Sequence, residues 1–487
     1  MKPAEHSRSN QHAPAESYRG YAGLPPLVGL STMHDATVTG LTVTESVERI
    51  KRIHWSLKRL HFAFVAHIPS TPVYELKMAF SLHAHFCAEH VGEFAKRVHE
   101  MRQPPYGLEI PPDPMLDIFL DEVLAAPSTE SLLLGLYEYA VPAVVRALEH
   151  LIADTNKLFD HPTYRICRFT LLEMQDALQY GQEAIRCLVN DTDRSDLQDW
   201  LSTLDRLLAA AGDLDGKAPK SGETVERHFS AKDFKYDPVP RRDERFQDPY
   251  NMGVNAEAML FDADIPPLPK TIMLYFKRMR EIDVPEMMSS ILVEVKGKPW
   301  EYYRDMTRQL WDEARHAMMG EVGFVSIDVD WTKIPFNFTW SLGLNTILTA
   351  KERHAVLFTI EQGLMPKRTG KEYEWEVGVA TADPLTAMIQ DYDWADEILH
   401  ARIGREWIVP QIGSQVEAMA YGDEAWSRTL ADWQKWKDEG LTEHRNWWPD
   451  VYREACKHWG IEPDPDLLAY NTNYQSTRAD LKEVAAG

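Results

Sequence analysis

The amino-acid sequence predicts an all-α protein: two bundles of long helices joined by a connector. Three observations carry that expectation. Apolar residues recur at three- and four-residue spacing over long runs, as at Ile50, Ile53, Leu57, Leu60 and Phe64, the period of an amphipathic helix. Proline and glycine stand between those runs, at Pro69 and Pro72 or at Gly297 and Pro299, where they mark turns. The two halves also share one order, hairpin followed by hairpin, with Pro72 echoed by Pro299 and Asp160-His161-Pro162 by Asp383-Pro384.

Residues 1–40, rich in Ser, His, Pro and Gly, lack the apolar stretch of a signal peptide. They are expected to form a tail, with His6, His12 and His34 in a draped segment rather than a metal site. Residues 41–190 are expected to form the first bundle. Thr44 can cap a helix that runs to His67. The next runs from Pro72 to Met101, and a proline-rich loop from Pro104-Pro105 to Pro114 follows. A third spans residues 131–158, with a kink at Pro142, and a fourth runs from Asp160 to Leu188. His61, His83, His85, Glu89, His90 and Glu93 crowd the first two helices. The fourth offers Glu173-Met-Gln-Asp176, so this half reads as a degenerate bundle with hydrogen-bonded histidines. Residues 191–265 are a connector. So long a non-repetitive segment is functional or disordered, and Phe234, Tyr236, Phe246, Tyr250 and Met252 are too many anchors for a free linker. Arg241-Arg242-Asp243-Glu244-Arg245 reads as a solvated charge run.

Residues 266–420 are expected to form the second bundle, and its motifs carry chemistry. Glu281 lies sixteen residues before Gly297 and Glu313 sixteen after it. In an antiparallel helix pair at about 1.5 Å per residue, both carboxylates lie roughly 24 Å from the turn and level with each other. His316, three residues after Glu313, shares that helix face. The spacing recurs at Glu397 and His400, on a helical run opened by Pro384 and ending near Pro410. Glu361 is the candidate for the remaining carboxylate. A Glu from each of two helices plus Glu-x-x-His from each of two others is the inward-facing set of carboxylate di-metal bundles. Glu281, Glu313, His316, Glu361, Glu397 and His400 are therefore the candidate metal ligands and catalytic residues. Carboxylates suit iron or manganese, imidazole suits iron, and a set without thiolate argues against structural zinc. One Glu-x-x-His alone reads as a solvated helix face; two copies that agree with the turn symmetry favour a site. Residues 325–338 read as a crossover, a helix follows from Ser341 to Glu361, and residues 363–383 read as a loop with a short ribbon at residues 373–377.

At these residues a resemblance is visible. Glu281, Pro299-Trp-Glu-Tyr-Tyr-Arg-Asp305, Asp312-Glu-Ala-Arg-His316, Glu361-Gln-Gly-Leu-Met-Pro366 and Asp396-Glu-Ile-Leu-His-Ala-Arg-Ile-Gly-Arg-Glu-Trp407 resemble the ferritin-like superfamily, in a branch similar to the tRNA-hydroxylase group. The resemblance covers residues 270–410, under a third of the chain. It implies a four-helix bundle there with a di-metal carboxylate site held by the same six residues, and the shared order of the two halves extends the expectation to two ferritin-like bundles. The third helix departs from the family pattern at Gln362, Gly363 and Met365, which leaves Glu352 as the substitute for Glu361. Asp312, Asp393 and Asp396 are expected to orient the histidines, and Arg315 and Arg405 to balance the acidic cluster.

Residues 421–487 form a C-terminal extension rich in tryptophan: Trp426, Trp433, Trp436, Trp447, Trp448 and Trp459. These are expected to pack rather than stack bases. Lys and Arg number 52 against 75 Asp and Glu, a formal net charge of −23, which disfavours phosphate backbones and anionic membranes. No apolar run of membrane-spanning length is expected. Cys87, Cys167, Cys187 and Cys456 form no CxxC and read as buried small hydrophobes in a cytoplasmic protein. The expected function is a nonheme di-iron oxidoreductase (hydroxylase, desaturase or N-oxygenase). It would use two Fe ions or an Mn/Fe pair, O2 as co-substrate, a small organic substrate and an electron donor such as a ferredoxin or flavin reductase. Nucleic acid and membrane partners are disfavoured, and a homodimer is admissible. The alternatives are a ferroxidase or metal-handling protein and a tRNA-hydroxylase-like enzyme.

Overall fold

A computed structural model describes residues 15–473 except Gln103, Pro105, Arg368, Thr369, Ala431 and Asp432. His6, His12, Pro105, the C-terminal tail beyond residue 473 and the side chain of Trp433 lie outside the described residues. Among the described residues every regular element is a helix and none is a strand, as the apolar periodicity predicts. The chain divides into two compact units. One holds the described residues up to Ala63 together with Phe86–Phe234, and the other holds Phe64–His85 and the described residues from Lys235. Two long helices cross the division: α1 (Val43–His67) leaves the first unit at Ala63, and α2 (Tyr74–Glu100) enters it at Phe86.

The first unit continues with α3 (Pro114–Leu124), α4 (Thr129–Asp154), α5 (His161–Leu188) and α6 (Gln198–Ala211). Asp113 caps α3 by accepting from the backbone N–H of Met115 and Leu116. By length and composition α4 could cross a membrane, contrary to expectation. Its most apolar window is nonetheless 78% buried inside the protein, because Leu132, Leu136, Val144, Leu148 and Leu151 form core. The irregularity expected at Pro142 lies just before it, as a π-turn over Gly135–Ala140. Proline cannot donate to the carbonyl four residues earlier, and the wider turn absorbs that loss. His61 and His83 are core histidines whose pKa burial lowers to about 3. His90 Nε2 lies 2.6 Å from Glu173. Cys87, Cys167 and Cys456 are buried, but Cys187 is exposed on the outer side of α5.

The second unit contains α7 (Pro267–Arg280), α8 (Asp283–Glu294), α9 (Trp300–Ser326), α10 (Thr339–Ile347), α11 (Ala350–Gly363), α12 (Lys371–Ala380), α13 (Pro384–Trp407), α14 (Gln415–Leu430) and α15 (Trp448–Trp459). Helix α9 packs on α7, α8 and α13; α11 packs on α8, α13 and α14; and α12 lies on α13 and α7. The core gathers Tyr74, Met78, Phe246, Met259, Phe276, Trp447 and Trp448. The C-terminal tryptophans at 447 and 448 therefore pack, and Trp448 Nε1 donates to the Leu467 carbonyl at 2.7 Å.

Four local expectations change. The helix preceding Gly297 is two helices with a joint at Glu281 and Ile282, because the ring of Pro285 collides with the carbonyl four residues before it. The helix expected from Ser341 is also two, since Thr349 forms a capping box with Glu352 and starts α11 afresh. The loop and ribbon expected over residues 363–383 include α12, with Lys371 and Glu374 buried. Its alternation of charged and aromatic residues resembles a strand, but Lys371 and Glu374 point inward because they are paired. The charge run at 241–245 is only partly solvated: Arg241 and Glu244 are exposed, but the Arg242 side chain turns inward. Arg242 is buried, bound to Glu286 at 2.8 Å and to Asp283 at 3.0 Å.

Candidate metal centre

Glu281 follows the last turn of α7, Glu313 and His316 sit on α9, Glu361 sits in the last turn of α11, and Glu397 and His400 sit on α13. Gly320 lets α7 and α9 approach closely: a Cβ there would lie 2.3 Å from the Met279 backbone nitrogen. Gly404 does the same for α13 and α11, where a Cβ would lie 2.4 Å from Phe358 Cδ2. Asp383 caps α13 by accepting from the N–H groups of Leu385 and Thr386.

The packing brings all six residues together as two groups. Glu281, Glu313, His316 and Glu397 offer donor atoms within 4.8 Å of one another, and so do Glu313, Glu361, Glu397 and His400. Glu313 and Glu397 belong to both. Among the described residues these are the only such groups, so the histidines crowded on α1 and α2 form none. Glu352, the substitute for Glu361, spends its carboxylate on the Thr349 cap and on Arg428. Glu361 is buried and accepts from Gln309 Nε2 at 3.0 Å.

The two histidines face the cluster in the same way. His316 Nδ1 lies 3.2 Å from Glu281 and 3.7 Å from Glu313, while its Nε2 lies 3.1 Å from Asp396. His400 Nδ1 lies 3.1 Å from Glu313 and 3.4 Å from Glu397, while its Nε2 lies 3.4 Å from Asp312. Arg315 joins Asp312 at 2.6 Å to Asp396 at 2.7 Å. A carboxylate behind each ring is the arrangement that fixes a ligating imidazole. Arg405 does not serve the cluster; it donates to Gln362 at the surface.

Sequence reasoning missed two cations. Arg278 lies 3.1 Å from Glu281 and also pairs with Asp393. Lys371 Nζ lies 2.9 Å from Glu397, 2.9 Å from Asp393 and 3.7 Å from Glu281. Lys371 lay in the presumed loop, and only its burial on α12 exposes its role. These charges set the protonation pattern. Burial alone would raise Glu281, yet Arg278 and Lys371 pull it down to about 2. Burial would likewise raise Glu397, which Lys371 holds well below its ordinary value. Glu361 has no such cation, and burial together with Glu397 and Glu313 drives it well up. Burial would lower both histidines. Asp396, Glu281 and Glu313 instead push His316 up to about 10, and Asp312, Glu313 and Glu397 raise His400 well above its usual range.

The donor set passes a test for a cation. Glu281 Oε2, Glu313 Oε1, His316 Nδ1, Glu397 Oε2 and His400 Nδ1 are buried without an aligned hydrogen-bond partner. All five converge, and their types are the ones that would suit a divalent cation such as iron or manganese. A cavity of about 440 Å³ opens beside the cluster and reaches Glu281, Glu313, Glu361 and Glu397. Comparisons with protein-family models, curated proteins and solved structures found no match to this chain.

Proposed function

We propose that the second unit is a ferritin-like bundle holding a dinuclear metal centre, and that the protein is a nonheme di-iron oxidoreductase acting on a small organic substrate. One observation carries this reading: two four-residue donor groups share Glu313 and Glu397 and turn buried atoms with no aligned hydrogen bond toward one another. In this reading Glu281 and His316 would hold one metal ion and Glu361 and His400 the other, with Glu313 and Glu397, common to both groups, available to either. When bound, the two irons supply electrons to O2 and the oxidising power to hydroxylate, desaturate or N-oxygenate a substrate. The chain's own part is positional and electrostatic. Asp396 and Asp312 hold each imidazole with Nε2–H outward and Nδ1 inward. Lys371 and Arg278 keep Glu397 and Glu281 ionised and in place. The cavity walls seat the substrate against the cluster and exclude water. Repeated turnover needs an external one-electron donor such as a ferredoxin or flavin reductase.

The cavity favours catalysis over ferroxidase or storage work, which needs no organic-substrate pocket. The test is metal analysis followed by oxygen-electrode measurements. Iron or manganese is expected at two ions per chain, with both lost together in Glu313→Ala and neither lost in Glu352→Ala. O2 uptake is expected to rise when an organic substrate is present. Full metal content in Glu313→Ala overturns the shared-ligand reading, and O2 uptake indifferent to every organic substrate moves the function to metal handling.

A further inference from the structure

We infer that the outer face of α5 is a self-association surface, which pairs antiparallel with α5 of a second copy of this chain. The surface belongs to the first unit and stands independently of the metal centre. Helix α5 turns one stripe inward, where Thr163, Cys167, Thr170, Met174 and Ala177 are buried. On the opposite side Arg165, Phe169, Leu172 and Asp176 recur at spacings of four, three and four residues, and all four are exposed. That spacing puts them on one face. The solvent face of a helix is ordinarily polar, yet Phe169 is 54% exposed and Leu172 58%. The charges that flank them are self-complementary. Arg165 stands four residues before Phe169, and Asp176 four after Leu172. An antiparallel helix that sets its Leu172 against Phe169 therefore also sets its Asp176 against Arg165. A two-fold axis repeats both contacts, as an isologous interface requires, whereas a parallel pairing sets Arg165 on Arg165. Among the described residues neither Arg165 nor Asp176 belongs to an ion pair within the chain, and Arg165 lies over the Phe169 ring at 4.8 Å. Two chains of net charge −23 repel each other. A self-contact therefore needs a face whose own charges cancel, and this register supplies that twice per dimer. With 28 residues, α5 is about 42 Å long and about 10 Å wide. Its face buries about 400 Å² per copy, below the roughly 800 Å² of a standard interface, so the dimer is weak and reversible.

The experiment is sedimentation velocity on the full chain over about 1–200 µM, the range in which so small an interface assembles. A monomer–dimer equilibrium is expected. Arg165→Asp and Asp176→Arg each set like charges against one another twice, and each is expected to weaken the dimer roughly tenfold or more. The double variant Arg165→Asp/Asp176→Arg restores opposite charges and is expected to return to within about threefold of the native constant. Both positions are exposed, so melting is expected unchanged, and rescue by the double variant separates a lost contact from a lost fold. Register is read by disulfide cross-linking in a Cys187→Ser background, since the other three cysteines are buried. A mixture of Phe169→Cys and Leu172→Cys chains is expected to cross-link. Arg165→Cys alone is not, because its two copies lie about 16 Å apart along the helices, beyond the reach of a disulfide. A chain that stays monomeric throughout the range overturns the inference. So does a dimer that survives both charge reversals, or a double variant that stays weakened. A mixture that fails to cross-link, or Arg165→Cys that links as readily as the mixture, overturns it as well.

Discussion

His316 shows how far a single residue's surroundings govern this site. In the metal-free protein three carboxylates hold its imidazole protonated, with a pKa of about 10 against an unfolded value of 6.5. A raised folded pKa means stability that is fully present below 6.5 and is lost as the pH climbs through about 10. Glu281, lowered to about 2 from 4.5, acts in the opposite sense: its contribution is present above 4.5 and is lost as the pH falls through about 2. The metal-free protein should therefore melt at its highest temperature between these windows and lose stability steadily on the alkaline side of 6.5. Metal binding requires neutral imidazole and ionised carboxylate, so uptake at neutral pH should release protons from His316 and His400, and from Glu361. Calorimetric titration of metal in buffers of different ionisation enthalpy reads that release directly. Metal binding with no proton release would contradict His316 and His400 as ligands.

At the scale of elements, the ends and joints of helices decide where side chains go. Pro285 breaks the chain after Glu281, so the carboxylate is held by α7 and its cations rather than by a continuous hairpin helix. Helix α8 is fixed by a buried network. Lys77 Nζ lies 3.0 Å from Glu286, Arg242 binds Glu286 and Asp283, and the Ser341 hydroxyl donates to Asp283 at 2.7 Å. The network ties the start of α2, the connector, α8 and α10 to one point beside the cavity. Arg242→Met removes the guanidinium and leaves two buried carboxylates facing one lysine. Breaking a buried pair in this way costs about 3–5 kcal/mol, so urea denaturation should show a loss of that order. Arg241→Met, on an exposed neighbour that pairs only with Asp237, should cost less than about 1 kcal/mol. Equal effects from the two would return the charge run to solvent.

At the scale of the molecule, the second unit is not continuous in sequence. Its core includes Tyr74 and Met78 from the start of α2, Phe246 from the connector, and Trp447 and Trp448 from the C-terminal extension. A fragment of residues 266–420, cut where sequence composition changes, lacks all five and also lacks Lys77 and Arg242. It is expected to be helical by circular dichroism yet to melt without cooperativity and to bind no metal, whereas the full chain melts cooperatively. A fragment that melts as sharply as the whole chain would show that these distant contributors are dispensable.

Periodicity and punctuation were enough to expect an all-helical chain, because apolar spacing and proline placement are local properties of a helix. The recurrence of Glu-x-x-His was enough to name Glu313, His316, Glu397 and His400, which the structure gathers, because ligand spacing on a helix face is local too. The choice of Glu361 over Glu352 was not local. It depended on Thr349 capping α11 and occupying the Glu352 carboxylate. Nor could sequence assign Lys371, Arg278 or Arg242. A charged residue reads as solvent-facing until an opposite charge, distant in sequence, is folded against it. Which two carboxylates belong to both groups and which imidazole nitrogen points inward are relations between helices. Only tertiary packing decides them, because burial and pairing are properties of neighbours in space.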